Sequence, residues 1–413
     1  MSKVRRVVVT GVAVITPIGS EIAEFWEHLL QGTSGISLIS RFNPNGFKSK
    51  ISGEVRNFDA TLILGSKWTK RMDRFVQFSV ACSRMAVEDA KLEISKIDPI
   101  RVGVSVGSAV AGLSLAEEQH DNFRAGGLKQ IEPSLAIGVF STAASSQISI
   151  NLAINGPSVT IAAGCASGSV SIGYAFDLIR FGKVDMMIAG GADAPITPLV
   201  FGAYDRIDSL SSHNDEPSKA MRPFDRLRDG TVMSEGAGIV VLEELKHALK
   251  RNAKIYAEIA GSGISSDAYH MTRPSPSGKY VIEAAKQAFS QSSIRPREVN
   301  WISAHGSSTL YNDVTETKVI KEIFGDKAYN IPISAIKSML GHMQGAGGAV
   351  EFISSALALK NQMIPPTINL ENKDPLCDLD YVPNTSRPHR LTVAMQNSFG
   401  FGGNNSILLL KKF

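Results

Sequence analysis

Two stretches of the chain show the same order of predicted elements. Each starts with a β-type apolar run that enters a glycine turn, continues through an apolar helical segment and reaches a second short strand. These segments are 7–11, 85–90 and 102–107 in the first stretch and 255–261, 281–289 and 299–304 in the second. Strands alternating with helices predict an α/β fold whose buried sheets are covered by helices. The repeat predicts two duplicated halves of one body, 1–252 and 253–413.

The composition is that of an ordinary soluble globular chain, because 43% of its 413 residues are hydrophobic and 20% are charged. Length alone would predict two or three domains. A net charge of +4, without a basic segment interleaved with aromatic residues, argues against nucleic-acid binding. We expect no membrane span and a cytoplasmic location, since the sequence has neither a long apolar run nor a signal-peptide core after Met1.

Cys165 is the most informative of three widely spaced cysteines, the others being Cys82 and Cys377. An odd number of distant cysteines argues against a disulfide framework. Cys165 follows an apolar β-type run and precedes small residues that predict the start of a helix, where unpaired N–H groups and the helix dipole stabilise a thiolate. For Cys165 taken alone, the alternative is a buried thiol that packs as a small hydrophobe.

Two histidines further along the chain also follow predicted strands. His305 lies in a loop of Gly, Ser and Thr, and His342 lies in a glycine turn five residues after Lys337. Polar groups at the carboxyl ends of strands often form functional sites in α/β folds. Either histidine alone could be a satisfied polar turn residue. One cysteine and two histidines at three strand ends together favour a nucleophilic active site.

Short motifs spread over nearly the whole chain match one family. They are Val8-Val9-Thr10-Gly11, Thr16-Pro17-Ile18-Gly19, Arg71-Met72-Asp73-Arg74, Asn155-Gly156-Pro157-Ser158, the Cys165 turn, Gly190-Gly191-Ala192-Asp193, Arg222-Pro223-Phe224-Asp225, Glu235-Gly236-Ala237-Gly238, His305-Gly306, Lys337-Ser338-Met339, Gly341-His342 and Asn397-Ser398-Phe399-Gly400-Phe401-Gly402-Gly403-Asn404. With these motifs the chain resembles the β-ketoacyl-acyl-carrier-protein synthases, the decarboxylating condensing enzymes of fatty acid and polyketide synthesis. The resemblance implies the thiolase-like five-layered αβαβα fold.

The resemblance also implies how the reaction would proceed. Cys165 would take an acyl chain from acyl carrier protein, and the backbone N–H groups of Cys165 and Phe401 would form the oxyanion hole. Malonyl-carrier protein would then lose CO2, and His305 and His342 would donate hydrogen bonds to the resulting enolate. Each imidazole should be neutral for that task.

Lys337 would place a positive charge beside these groups. The resemblance suggests Glu351 as its partner, and Glu316 is a second candidate. A purely structural buried ion pair remains the alternative for Lys337.

Further residues match positions that bind the substrates in the resembled family. They are Ser307, Thr309 and Thr272 for the phosphopantetheine arm, Val110 and Phe401 for an acyl-pocket gate, and Lys67, Lys70, Arg71 and Arg206 for docking of the acidic carrier protein. A solvated basic face is the alternative for the docking residues. We expect no NAD, because the glycine runs lack the full dinucleotide fingerprint, no bound cofactor beyond the phosphopantetheine carried by the substrate, and no metal.

The sequence favours two pathways for this reaction, polyketide synthesis and fatty acid elongation. Several segments favour the ketosynthase-alpha subunit of a type II polyketide system, which would form a heterodimer with a chain-length-factor subunit. Others match synthase II of fatty acid elongation, which would be a homodimer. A thiolase is disfavoured because the loop 400–404 lacks a second cysteine, and a non-catalytic chain-length-factor-like subunit is disfavoured because Cys165, His305 and His342 are all present.

Overall fold

The apolar runs of the sequence form the strands of one large sheet. The structure is a computed structural model that describes residues 4–69 and 71–413. Its strands are β1 (Val7–Ile15), β2 (Ile36–Leu38), β3 (Ile51–Gly53), β4 (Val102–Gly107), β5 (Ser158–Ile161), β6 (Met186–Asp193), β7 (Gly236–Glu244), β8 (Ala257–Ser266), β9 (Trp301–Ser303), β10 (Ile333–Ser334), β11 (Met363–Ile364), β12 (Arg387–Pro388), β13 (Val393–Gly400) and β14 (Asn404–Lys411).

Helices connect and cover these strands. They are α1 (Ile22–Gln31), α2 (Ala60–Leu64), α3 (Ser66–Thr69), α4 (Arg74–Asp89), α5 (Leu113–Gly126), α6 (Leu135–Gly138), α7 (Ala143–Leu152), α8 (Ser167–Arg180), α9 (Pro198–Arg206), α10 (Pro217–Ala220), α11 (Leu245–Lys250), α12 (Lys279–Gln291), α13 (Leu310–Phe324), α14 (Lys337–Leu340) and α15 (Gly347–Asn361). No helix among the described residues is long and apolar enough to cross a membrane.

The strand order shows the duplication directly. Ten strands follow one another in the order β5-β4-β6-β7-β1-β8-β14-β13-β9-β10. Read outward from the β1–β8 junction, each half has a first strand, two antiparallel neighbours and then two strands that pair in parallel. The junction itself is a short antiparallel pairing of Val7, Val8 and Val9 with residues 257–259.

Helices and strands form five layers. Helices α4 and α7 cover the outer face of the first half, and α12 and α13 cover that of the second. Helices α8 and α15 lie between the halves, where they contact each other and strands of both. Apolar residues fill the space on either side of each strand layer. The predicted α/β fold with five αβαβα layers and two duplicated halves is therefore confirmed.

The prediction that both first strands end in a glycine turn is wrong. Strand β1 continues past Gly11 to Ile15, and β8 continues past Gly261 to Ser266, each through a shift of pairing register. A Cβ on Gly11 would lie 2.3 Å from the carbonyl oxygen of Ala86 in α4, and one on Gly261 would lie 2.1 Å from that of Ala288 in α12. These glycines allow a covering helix to approach the strand closely, rather than turning the chain.

Candidate active site

Cys165 lies in the tight connection between β5 and α8. Ser167, the first residue of α8, closes this connection. Its Oγ accepts a hydrogen bond from the backbone N–H of Ala163 at 2.9 Å and donates one to the carbonyl oxygen of Gly164 at 2.6 Å. Gly164 has φ +56°, which glycine adopts without strain. The small residues of the motif thus place the Cys165 side chain at the end of β5, almost fully buried.

The glycine-rich turn between β13 and β14 packs against this cysteine. A Cβ on Gly400 would lie 2.7 Å from the carbonyl oxygen of Ala163 and 3.0 Å from the backbone nitrogen of Cys165, so the contact requires glycine. The backbone N–H groups of Phe401 and of Cys165 itself both favour the charged form of the sulfur, which lowers the pKa of the thiol. Two convergent N–H groups are the arrangement that stabilises an oxyanion.

Burial dominates the electrostatics of Cys165. It raises the pKa of the thiol to about 11, although the two N–H groups and the charge of Lys337 act in the opposite direction. Burial thus opposes the thiolate that the sequence predicts at the helix start. Helix α8 begins two residues after Cys165, at Ser167, and the sulfur itself is desolvated.

His305 follows β9 and is held by a buried carboxylate. The oxygens of Glu316 accept hydrogen bonds from the backbone N–H groups of His305 and Gly306, each at 2.8 Å, and from the side chain of Asn397 at 2.9 Å. Glu316 lies in α13 and is 1% exposed. Its carboxylate therefore fixes the backbone that carries the imidazole.

The imidazole ring of His342, which follows α14, lies next to that of His305. Its backbone N–H donates to the carbonyl oxygen of Val232 at 2.7 Å, and its carbonyl oxygen accepts from Ser234 at 3.0 Å. The ring centroids of His305 and His342 are 5.6 Å apart, and the ring planes meet at 83°. Burial, together with the charge of Lys337, holds the pKa of both imidazoles well below the usual value. Both rings are therefore neutral near pH 7.

Lys337 pairs with Glu351, the partner that the family resemblance suggests. The ammonium group donates to the Glu351 carboxylate and, at 2.7 Å, to the carbonyl oxygen of His305. It also lies 3.4 Å from Nδ1 of His305. Burial raises the pKa of Glu351 to about 7, with Lys337 opposing that rise. The second candidate partner, Glu316, instead binds the backbone of His305.

One cavity of about 250 Å³ connects these groups, and Cys165, His305, His342 and Phe401 all line it. The three residues predicted to hold the phosphopantetheine arm, Ser307, Thr309 and Thr272, line it too. The hydroxyls of Ser307 and Thr309 are hydrogen-bonded at 2.8 Å. Thr272 is exposed, which places it toward the solvent side of the cavity.

Val110 and Arg206 are not among the residues that line this cavity. Val110 and Tyr204 each pack against an apolar cluster that includes Phe201 and Met233, so the structure does not bring Val110 to the cavity wall that Phe401 forms. Arg206, the last residue of α9, is exposed beside the cavity-lining residues 207 and 208.

The other docking residues are described only in part. Arg71 is exposed. Lys70 lies outside the described residues, and so does the side chain of Lys67. Within residues 4–69 and 71–413, no group of three or more His, Cys, Asp or Glu side chains is arranged to hold a metal ion.

Three residues that the sequence patterns did not single out belong to the site. Tyr204 and Arg273 line the cavity. Gln344 accepts hydrogen bonds through Oε1 from the thiol of Cys165 at 3.5 Å and from the hydroxyl of Tyr204 at 3.2 Å. The one sequence signal for Gln344 is its polar side chain in the apolar, glycine-rich run after His342.

Comparisons with known proteins agree with this geometry. Residues 4–248 match the family model of the beta-ketoacyl synthase N-terminal domain, and residues 256–371 match that of the C-terminal domain. The chain is 45% identical over 408 residues to 3-oxoacyl-[acyl-carrier-protein] synthase 2 of Coxiella burnetii, covering 99% of both chains. It is 41% identical over 413 residues to the protein of that name from Staphylococcus aureus, covering 100% of both.

Solved structures give the same assignment. A type II PKS ketosynthase bound to a hexaketide, in complex with its acyl-carrier protein, matches with a TM-score of 0.93 and 35% identity, covering 99% of this chain and 100% of that chain. The ishigamide ketosynthase/chain length factor matches with a TM-score of 0.93, 36% identity and the same coverage. This chain therefore belongs to the β-ketoacyl synthase family of condensing acyltransferases.

Proposed function

We propose that this protein transfers an acyl chain from acyl carrier protein to Cys165 and condenses it with malonyl-carrier protein, with loss of CO2. The observation that carries the proposal is the single cavity lined by the cysteine, both histidines and the predicted arm-binding hydroxyls. No cofactor of its own is required, because both substrates arrive on the phosphopantetheine of the carrier.

The first half-reaction exchanges one thioester for another. The sulfur of Cys165 attacks the carrier thioester, the carbonyl oxygen becomes an oxyanion, and the backbone N–H groups of Cys165 and Phe401 stabilise it. Collapse of the tetrahedral intermediate releases the carrier thiol, which takes up a proton equivalent to the one that Cys165 loses. Because burial raises the pKa of the thiol, the proton has to leave the sulfur during the attack.

The second half-reaction makes the carbon nucleophile. Cleavage of the bond between the malonyl methylene and its carboxylate releases CO2 and leaves an enolate, whose oxygen accepts hydrogen bonds from His305 and His342. Neutral imidazoles suit this task because each keeps one N–H donor. The enolate carbon then attacks the acyl thioester on Cys165, and the new tetrahedral intermediate expels the Cys165 thiolate.

The binding residues support delivery of substrates on a carrier protein. Ser307, Thr309 and Thr272 line the cavity where the phosphopantetheine arm would lie. Arg206 and Arg273 are exposed near its mouth. An acidic carrier protein would be attracted to these charges.

For the pathway, we propose that the extended chain is an unreduced polyketide intermediate and that the protein is the ketosynthase-alpha partner of a chain-length-factor subunit. Support comes from the buried amide of Gln344 beside Cys165. Its Nε2 has no hydrogen-bond partner in the described part of the chain, and a hydrocarbon chain would leave it unpaired. Synthase II of fatty acid elongation, as a homodimer, is the second candidate. The 41–45% identity to proteins named synthase 2 favours it.

We also propose that residues 1–252 and 253–413 are the two structural halves of the chain.

The substitution Cys165→Gln tests the central reaction. We expect the variant to lose all condensation while it still decarboxylates malonyl-carrier protein, because the two histidines remain. Mass spectrometry of the carrier gives both rates. Retained condensation in this variant would reject the assignment.

Product masses from the wild-type protein address the pathway. Incubation with malonyl-loaded carrier, with and without a candidate partner subunit, should give several unreduced two-carbon extensions. A single extension would favour fatty acid elongation instead, and copurification of the partner distinguishes heterodimer from homodimer.

A further inference from the structure

Gln344 occupies an unusual position next to the nucleophile. It is the second residue after His342, its side chain is 0% exposed, and its φ of +47° is in the left-handed region that glutamine rarely adopts. Such a backbone conformation persists only where the surrounding structure enforces it, and it occurs often at functional sites. The conformation directs a polar side chain to Cys165.

The two ends of the Gln344 amide have different surroundings. Oε1 accepts from the thiol of Cys165 and from the phenol of Tyr204. Within the described part of the chain, Nε2 is buried and has no hydrogen-bond partner. A buried donor without a partner destabilises the free protein, so a bound group that accepts a hydrogen bond there would gain binding energy.

Tyr204 fixes the orientation of this amide. Its ring stacks on Phe401, with centroids 5.9 Å apart and planes at 11°. Burial raises the pKa of its hydroxyl, which therefore stays protonated and donates to Oε1. When Cys165 becomes acylated and its S–H is lost, Tyr204 still occupies Oε1. Nε2 then remains the end available to the acyl chain.

The carboxylate of Asp193 links the backbone of Val110 with that of Gly345, the residue that follows Gln344. Its oxygens accept from the backbone N–H of Val110 at 3.1 Å and from that of Gly345 at 2.7 Å. Tyr204 packs in the same cluster as Val110. Gln344 contacts the sulfur of Cys165, and Tyr204 contacts Gln344. The first carbons of a chain that starts at Cys165 and extends toward Val110 would therefore lie next to both side chains.

We propose that Gln344, oriented by Tyr204, donates a hydrogen bond through Nε2 to an oxygen on the β-carbon of the Cys165-bound acyl chain, and so selects β-ketoacyl over saturated chains. The β-oxygen is four bonds from the sulfur, which suits an amide whose other end already touches that sulfur. The α-carbon carries no such group in either class of chain. This inference rests on the proposed function, because it requires an acyl chain on Cys165.

Two primers of equal length test the idea. Condensation of acetoacetyl-carrier and butyryl-carrier protein with malonyl-carrier protein is measured for each variant, and the ratio of kcat/KM for the two primers is the readout. The ratio is insensitive to loss of folded protein, because both primers meet the same preparation. We expect the wild type to prefer acetoacetyl and Gln344→Leu to reduce this preference about tenfold, the size of one lost hydrogen bond.

Two further variants provide a second test and a control. Tyr204→Phe should also reduce the preference, since it frees Oε1 and lets the amide rotate. Met343→Leu changes a buried apolar neighbour of Gln344 and should leave the ratio unchanged.

A preference for butyryl in the wild type, or a ratio in Gln344→Leu within twofold of wild type, would overturn the inference while the proposed condensation stands. If the wild type extends neither primer, the proposed function fails and the inference with it.

Discussion

The backbone N–H of Phe399 donates a hydrogen bond to Nδ1 of His305 over 3.3 Å. The ammonium of Lys337 lies 3.4 Å from the same nitrogen. Because Nδ1 faces two donors, it is the acceptor of the neutral ring, and the proton resides on Nε2. Phe399 lies in strand β13, and Lys337 is paired with Glu351. These two donors thus select the tautomer of His305 that can donate to an enolate.

Removal of this donor should affect decarboxylation strongly. We expect His305→Ala to lower the rate of CO2 release from malonyl-carrier protein by about 10² to 10³, the usual loss for one fixed donor to a developing oxyanion. His213→Ala replaces an exposed histidine and serves as the control, with a rate near wild type. A loss of less than threefold in His305→Ala would show that the ring does not donate to the enolate.

The charge of Lys337 should determine the acid limit of activity. Burial and Lys337 lower the pKa of His305. Since the proposed decarboxylation requires the neutral ring, we expect activity to fall only as pH drops through that low pKa. Loss of the positive charge raises the pKa of His305, which moves the acid limb of the pH profile to higher pH, by about one to three units.

A double variant removes that charge without leaving its partner unpaired. Compared with the wild type, Lys337→Met combined with Glu351→Gln should shift the acid limb upward. The double variant also avoids an uncompensated buried carboxylate, whose cost is about 3–5 kcal/mol when one partner of a buried pair is removed. If the pH profiles of the wild type and the double variant were the same, the role of Lys337 would be purely structural.

The reactivity of Cys165 should depend steeply on pH. Burial raises its thiol pKa to about 11, so the thiolate fraction of the substrate-free protein grows throughout the neutral and alkaline range. We expect the rate of iodoacetamide alkylation to increase without a plateau between about pH 7 and pH 10. Peptide mass spectrometry should find Cys165 modified before Cys82 and Cys377, the other buried free thiols. A plateau near pH 7 would instead indicate a helix-stabilised thiolate.

Charges at the mouth of the cavity should affect carrier binding alone. We expect Arg206→Glu and Arg273→Glu each to raise the KM for malonyl-carrier protein about fivefold at low salt, the upper range for one exposed charge pair, with a weaker effect at high salt. Arg297→Glu reverses an exposed charge outside the cavity lining and is the control. Turnover of a small malonyl thioester should not change, and a loss there would contradict a docking role.

The local sequence determined which elements carry the candidate active-site residues. The turn that holds Cys165, the strand before His305 and the glycine turn around His342 were all predictable, because apolar periodicity and small residues define a strand end within a few positions. The same periodicity predicted the two halves, although it assigned Gly11 and Gly261 to turns.

Only the tertiary structure decided how these elements act on one another. The pairing of Lys337 with Glu351 and the support of His305 by Glu316 join different elements of the fold. The tautomer selected by Phe399 and the contact of Gln344 with Cys165 join residues far apart in sequence. The high pKa of Cys165 likewise depends on how deeply packing buries the sulfur. Such distances and degrees of burial follow from the way the two halves of the sheet and their helices pack, which no single stretch of the chain encodes.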